Sequence, residues 1–268
     1  SIQLGLGGVS MSHSVACASS AISIGEAFRR VRSGEATVML CGGSDVPQTY
    51  GVMRAWEALR VLAPGDATTS AMACRPFSSE RRGLVLGEGA AALVLEDWDH
   101  AMARGATIHA EIAGFGTSCD HTHLVRPEVA GQVRALRGAL ADASLSPNEV
   151  DYVNAHGTAT AEGDPTEVAA LREVFASHAP HLAVSSTKAL HGHLLGAAGA
   201  IEAVITVLSL REGTLVGTAH LEGELDPSCE GVDHVTTTRH HQPLRAALSS
   251  SFAFGGSNAV LAFRAHQA

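Results

Sequence analysis

Hydrophobic and polar positions along the 268-residue chain switch between a helical repeat and short apolar runs, and the elements they predict follow one another closely. Apolar or small residues at Ala21, Ile24, Gly25, Phe28 and Val31 form one stripe of a helix over residues 18–32, with Gly34 as its stop. The run "ATVMLCGGSDV" (36–46) ends in Gly-Gly, as a buried strand entering a loop does. "AALVLED" (91–97) and "IHAEIAGF" (108–115) read as further strands, and Val133, Leu136, Leu140 and Ala143 mark a helix over 133–143. "VDYVNA" (150–155) is a strand that ends at "HGT". "GDPTEVAALREVF" opens a helix with Asp164 as cap, Pro165 at its first position and Glu167 three residues after the cap. "LAVSST" (182–187) is a strand, and residues 194–213 form a long Ala/Gly-rich helix, apolar on most sides and therefore central. "AALSSSFAF" and "NAVLAF" are two strands around a glycine turn.

This alternation predicts a layered α/β fold with both sheet faces covered. Residues 112–132 are the expected junction between two halves, 1–111 and 112–268. Composition narrows the class. Hydrophobic residues at 46% and charged ones at 17% are ordinary for a globular protein, whereas 4% aromatics with 28 glycines favour closely packed helices and layers. A net charge of −9 argues against non-specific nucleic-acid binding. No apolar run approaches the roughly 18 residues of a membrane span. The first residues lack the basic start and continuous apolar stretch of a signal peptide. The five cysteines are scattered and contain no CxxC pair, which points away from disulfides and zinc and toward a reducing cytoplasm.

Reactive side chains stand where strands end or helices begin at four places: Cys17, His156, Lys188 with His193, and the glycine turn over 252–258. Such ends converge on ligand sites in layered α/β folds. Taken singly, each has a structural explanation: a buried small thiol, a hydrogen-bonded imidazole, a surface charge, a turn. Their joint occurrence points to chemistry. Unpaired amides and the dipole of a helix start favour a Cys17 thiolate. Ala16, Ala18, Ser19 and Ser20 leave room beside it. Cys41 lies inside an apolar strand, and Cys74, Cys119 and Cys229 lack a helix start. A thiolate with two imidazoles suits acyl transfer and enolate or oxyanion stabilisation.

Together "ACASS", "VNAHGTATAEGDPTE", "SSTKALHGHLLGAAGAIEAV" and "SSFAFGGSNAVLAF" closely resemble the β-ketoacyl-acyl-carrier-protein synthases (ketosynthases), and the order and spacing hold to the end of the chain. The resemblance implies the thiolase-like fold, a layered αβαβα arrangement of two similar halves, with the N-terminal half incomplete in this chain. It also implies that Cys17 receives an acyl group from the 4'-phosphopantetheine arm of an acyl carrier protein. His156 and His193 would stabilise the enolate formed when malonyl-carrier loses CO2, and the amides of Cys17 and Phe254 would form the oxyanion hole. Lys188 would be the active-site lysine, held by Glu167. Thr158 and Thr160 would contact the pantetheine, and Phe254 would be a gating aromatic. Glu167 also fits a capping box, and Lys188 either raises the local positive potential or neutralises Glu167. No cofactor or metal is implied beyond the carrier's arm. The implied partners are acyl carrier protein and a second subunit, as a homodimer or a heterodimer with a related ketosynthase-like chain.

Three departures stand out. Position 253 is Ala where many family members have Gly, which restricts the backbone beside the gate. His191 replaces a frequent Thr; its metal pairing with His193, like that of His121 with His123, is disfavoured by alternating strand geometry. Only 16 residues precede Cys17, fewer than the family places there. The expectation is a longer protein; a fragment or a split gene are the alternatives. Thiolases share the fold but typically carry a second cysteine near the end, absent from "FAFGGSNA". A non-catalytic, chain-length-factor-like subunit is the rival reading, and such subunits typically lack the nucleophile. Arg29, Arg30 and Arg32 read either as a docking patch for an acidic carrier or as a solvated helix face.

Overall fold

The structure, a computed structural model, describes residues 1–66 and 68–266. Its main elements are α1 (Ser19–Arg32), β1 (Val38–Asp45), α2 (Tyr50–Ala58), β2 (Gly89–Glu96), α3 (Trp98–Ala103), β3 (Ala110–Cys119) and α4 (Val129–Asp142). There follow β4 (Tyr152–Asn154), α5 (Gly163–Phe175), β5 (Ala183–Ser185), α6 (Lys188–His191), α7 (Ala198–Glu212), β6 (Asp233–His234), β7 (Ala246–Phe252) and β8 (Ser257–Ala265).

Two sheets enclose a helical layer. The six-stranded sheet has the order β3-β8-β7-β4-β5-β6, with parallel pairing among β7, β4, β5 and β6 and antiparallel pairing of β3 and β7 to β8. The second sheet is the antiparallel pair β1–β2. Helices α1 and α7 lie between the two, while α4 and α5 cover the far face of the larger sheet. Four layers of the expected fold are thus present. The expectation that both faces of every sheet are covered fails for β1–β2. Side chains at Met39, Cys41, Leu93 and Leu95 pack inward, whereas Val38, Leu40 and Val94 are exposed on the outer face.

Small residues set the layer spacing. A Cβ at Gly199 of α7 would sit 2.8 Å from the Cβ of Ala21 on α1. One at Gly116 of β3 would overlap the carbonyl of Ala135 and the amide of Ala139 on α4. The scarcity of aromatics and abundance of glycine therefore translate into helix–helix and helix–sheet contact at backbone distance.

Most predicted elements form with boundaries moved by a few residues. α4 starts at Val129, and the long helix splits into a 3-10 turn, Leu195–Ala197, followed by α7. α2, α3 and β6 are additional elements. Residue 111, the expected end of the first half, falls inside β3, which belongs wholly to the larger sheet.

Candidate active site

The C-terminal ends of the parallel strands β4, β5 and β7 meet the start of α1, and the reactive side chains lie there. Cys17 precedes α1 across a strained junction. Ala16 holds a left-handed φ of 45°, the Val15 N–H donates to Ser19 Oγ (2.8 Å), and the Ser19 hydroxyl donates to Ala16 O (2.7 Å). A non-glycine residue in this region is held there by its surroundings.

His156 follows β4, and Lys188 opens α6 directly after β5. His193 comes after Gly192, whose φ is 75°. It is pinned to a neighbouring extended segment: its N–H donates to Val85 O (2.7 Å), and its carbonyl accepts from Gly87 N–H (3.0 Å). His193 Nε2 lies 3.0 Å from Cys17 Sγ. The Leu195 N–H donates to His193 Nδ1 (3.3 Å), which places the ring proton on Nε2 and points it at the sulfur. The His156 ring stands edge-on to His193, with centroids 5.3 Å apart.

Burial governs the electrostatics. It pushes both histidines well below their ordinary value, with Lys188 acting in the same direction, so both rings are neutral N–H donors at neutral pH. Burial also pushes the Cys17 thiol up to about 11; Lys188 and the amides of Cys17 and Phe254 pull down, and Glu202 pushes up. The thiolate expected from the helix start is therefore outweighed by desolvation at rest. The same two amides point at the Cys17 sulfur.

Glu167 does not hold Lys188. Its carboxylate accepts the N–H groups of His156 and Gly157, both at 2.8 Å, and so fixes the turn that carries His156. Nor does the capping box around Asp164 form. α5 begins one residue earlier, at Gly163, and Asp164 Oδ2 instead accepts the Phe77 N–H at 2.7 Å. The partner of Lys188 is Glu202, on the first turns of α7; both side chains are fully buried and their charged groups are in contact. This carboxylate was missed in the sequence, although it is the only acid in the apolar run "GAIEAVITVLSL".

A cavity of about 510 Å³ opens over Cys17, His156 and His193. Thr158, Thr160 and Phe254 line it, and the hydroxyl oxygens of the two threonines are 3.0 Å apart. Phe254 stacks on Trp56 of α2, centroids 5.8 Å apart. Ala253 is buried, and the left-handed freedom of the turn comes from Gly255 (φ 86°) and Gly256 (φ 77°). Besides Arg81, three arginines that escaped the sequence reading line the cavity: Arg60, Arg82 and Arg126. All three are exposed, and their side chains make no hydrogen bond or ion pair among the described residues. Arg29, Arg30 and Arg32 instead pair with Glu26, Glu35 and Asp142.

The other candidates fall elsewhere. His191 ends α6, not a strand, and its ring contacts Gly192 O (2.7 Å) and Thr187 Oγ1 (3.2 Å). His121 and His123 are exposed, the latter accepting the Val125 and Arg126 amides. The side chains that converge closely enough to share a metal ion are Cys17, His156 and His193, with ligand atoms within 4.8 Å of one another. All five cysteines are free, and Cys119 is the exposed one. Among the described residues no helix is long and apolar enough to cross a membrane.

Residues 1–101 match the family model of the β-ketoacyl synthase N-terminal domain, and residues 109–222 match that of the β-ketoacyl synthase C-terminal domain. The chain belongs to the β-ketoacyl synthase family. Nodulation protein E of Rhizobium sp. (strain N33) is 49% identical over 264 residues, covering 98% of this chain and 63% of that protein. The 3-oxoacyl-[acyl-carrier-protein] synthase 2 of Staphylococcus aureus (strain COL) is 43% identical over 270 residues, 100% of this chain and 64% of that protein. Among solved structures, a type II polyketide ketosynthase in complex with its acyl-carrier protein and bound to the hexaketide superposes with a TM-score of 0.96. Identity to it is 32%, covering 99% of this chain and 65% of that one. The ishigamide ketosynthase/chain length factor gives a TM-score of 0.87 at 35% identity, covering 95% and 60%. The chain thus spans a little under two thirds of the length of these relatives.

Proposed function

We propose that this chain carries the acyl-transfer centre of a 3-oxoacyl-acyl-carrier-protein synthase, an acyltransferase acting in fatty-acid or polyketide-type chain elongation. The observation that carries the reading is the Cys17 sulfur facing the Nε2–H of a neutral His193 at 3.0 Å, with His156 beside it in the same buried cavity.

In the first half-reaction the Cys17 sulfur bonds to the acyl carbonyl carbon, the carbon–sulfur bond to the pantetheine breaks, and the thiol proton leaves with the pantetheine sulfur. In the second, malonyl thioester loses CO2, and the electron pair of the broken carbon–carbon bond passes into an enolate. The N–H groups of His156 and His193 hold its oxygen; as neutral donors they stabilise the charge without surrendering a proton. The enolate carbon then attacks the Cys17 thioester, the Cys17 and Phe254 amides hold the tetrahedral oxyanion, and the sulfur departs from the 3-ketoacyl product as a thiolate that takes a proton from water to restore the thiol. Every electron pair is accounted for by the substrates and Cys17, so the centre requires no cofactor of its own beyond the carrier's 4'-phosphopantetheine.

The unpaired Arg60, Arg82 and Arg126 support docking of an acidic acyl carrier protein at the cavity mouth. The solved relative captured with its acyl-carrier protein supports the same partner. Exposed Val38, Leu40 and Val94 support packing against a further protein layer. The similar ketosynthase/chain length factor structure supports pairing, as a homodimer or a heterodimer, with a ketosynthase-like subunit. Five free thiols fit a reducing cytoplasm. A chain-length-factor-like role is disfavoured by the intact Cys17–His193–His156 geometry. The test is CO2 release from malonyl-carrier. His193→Ala is expected to lose it, and undiminished release in that variant would overturn the assignment.

A further inference from the structure

The turn that carries Thr158 and Thr160 is strained and clamped at both ends. Ala159 is fully buried with a left-handed φ of 62°, an unfavourable region for a residue with a Cβ. Upstream, Glu167 takes the amides of His156 and Gly157. Downstream, three successive carbonyls are held by one short segment. Gly83 N–H donates to Ala159 O (2.9 Å), Arg81 Nε to Thr160 O (3.0 Å) and Arg81 Nη2 to Ala161 O (3.2 Å). The Nη1 donors go to Ser78 O (2.9 Å) and Asp226 Oδ2 (2.6 Å), and the Arg81 side chain is only 6% exposed. A planar fork with fixed donor directions matches this set of acceptors; an ammonium group cannot. The Gly163 N–H donates to Thr160 Oγ1 (3.2 Å), and the Thr158 and Thr160 hydroxyls share one hydrogen bond, so one of their two protons is left for a ligand in the cavity.

We propose that Arg81 is a positioning residue for the substrate's amide-bearing arm: its guanidinium holds the strained turn at Ala159, so that the Thr158 and Thr160 hydroxyls face the cavity. Arg81 touches no reacting atom and acts through that turn. The inference rests on the acyl-transfer reading, because it assumes an extended arm of alternating carbonyl and N–H groups lying between the turn and Cys17.

The experiment follows acylation of Cys17 by an acyl-pantetheine thioester, read by intact mass, as a function of thioester concentration. Arg81→Lys is expected to raise the half-saturating concentration about tenfold, the loss of one to two charge-assisted hydrogen bonds. The limiting rate, and the rate of Cys17 alkylation by iodoacetamide, stay within about twofold, since the thiol and its neighbours are undisturbed. Adding Ala159→Gly, which makes the left-handed conformation easy without the guanidinium, is expected to recover about threefold of the loss. An unchanged half-saturation in Arg81→Lys overturns the proposal. So does a parallel fall in limiting rate and alkylation, which would mark a general structural role, and so does failure of Ala159→Gly to recover binding. If Arg81→Lys gives no folded protein, Asp226→Asn carries the test: about a twofold rise in half-saturation with unchanged alkylation supports the role, and no rise overturns it. Failure of Cys17 to react in the unmodified protein is a different result and counts against the proposed function itself.

Discussion

Replacing Lys188 with Met removes the ammonium from a pair in which both side chains are fully buried and leaves the Glu202 carboxylate without its cation. Glu202 already sits near 7, because burial outweighs the pull of Lys188. Among the described residues its other oxygen, Oε2, has no hydrogen-bond partner to hold the charge. Without Lys188 the folded-state value moves higher. A carboxyl raised above its unfolded value near 4.5 contributes stability below that value and loses it as pH rises through the folded one. Below about pH 7 Glu202 is therefore protonated in both proteins, and the variant is no less stable than the parent. Above it the parent carries an ion pair, while the variant must either keep the proton or bury a lone charge. The gap then widens by about 1.4 kcal/mol per pH unit, reaching about 2 kcal/mol near pH 8.5. Urea unfolding followed by circular dichroism at about pH 6 and about pH 8.5 measures it. Adding Glu202→Gln is expected to abolish the pH dependence of the gap. A gap of equal size at both pH values, or one that survives in the double variant, refutes the reasoning.

Three further outcomes follow from the same geometry. In a Cys119→Ser background, which removes the exposed thiol, the alkylation rate of Cys17 is expected to rise steadily with pH toward about 11; a plateau near neutral pH would contradict the burial argument. Charge reversal at Arg60, Arg82 and Arg126 is expected to weaken carrier binding by about tenfold or more and to flatten its salt dependence, leaving alkylation of Cys17 unchanged; calorimetry across a salt series tests this. Gly116→Ala forces a methyl into the backbone of α4 and is expected to lower stability by about 1–3 kcal/mol, seen as a shifted urea midpoint at constant slope.

What the sequence made legible was whatever depends on local pattern. The stripe Ala21, Ile24, Gly25, Phe28 and Val31 and the apolar runs of β1, β2, β7 and β8 mark their elements, because burial of one face leaves a period in the chain. Cys17, His156 and His193 could be picked out by their positions at element ends. The geometry between them could not: the Leu195 amide that sets the His193 proton is two residues away from the ring and carries no side-chain signal. Long-range pairings were the least legible. Lys188 meets Glu202 rather than Glu167 because α7 runs back beneath the strand ends, a consequence of layer packing that spacing does not reveal. The same holds for Asp164, which satisfies the Phe77 amide 87 residues away in preference to capping its own helix. Burial likewise reversed the expected direction for the Cys17 thiol. A helix start favours the anion, but burial of the thiol disfavours it more, and only the three-dimensional surroundings decide which prevails.

The most direct measurement of the central claim is the mass of the protein after incubation with an acyl-carrier thioester, followed by peptide mapping. The account predicts a gain of one acyl group, located on Cys17 and lost in Cys17→Ala. Acylation at another residue, or an equal gain in Cys17→Ala, would contradict it.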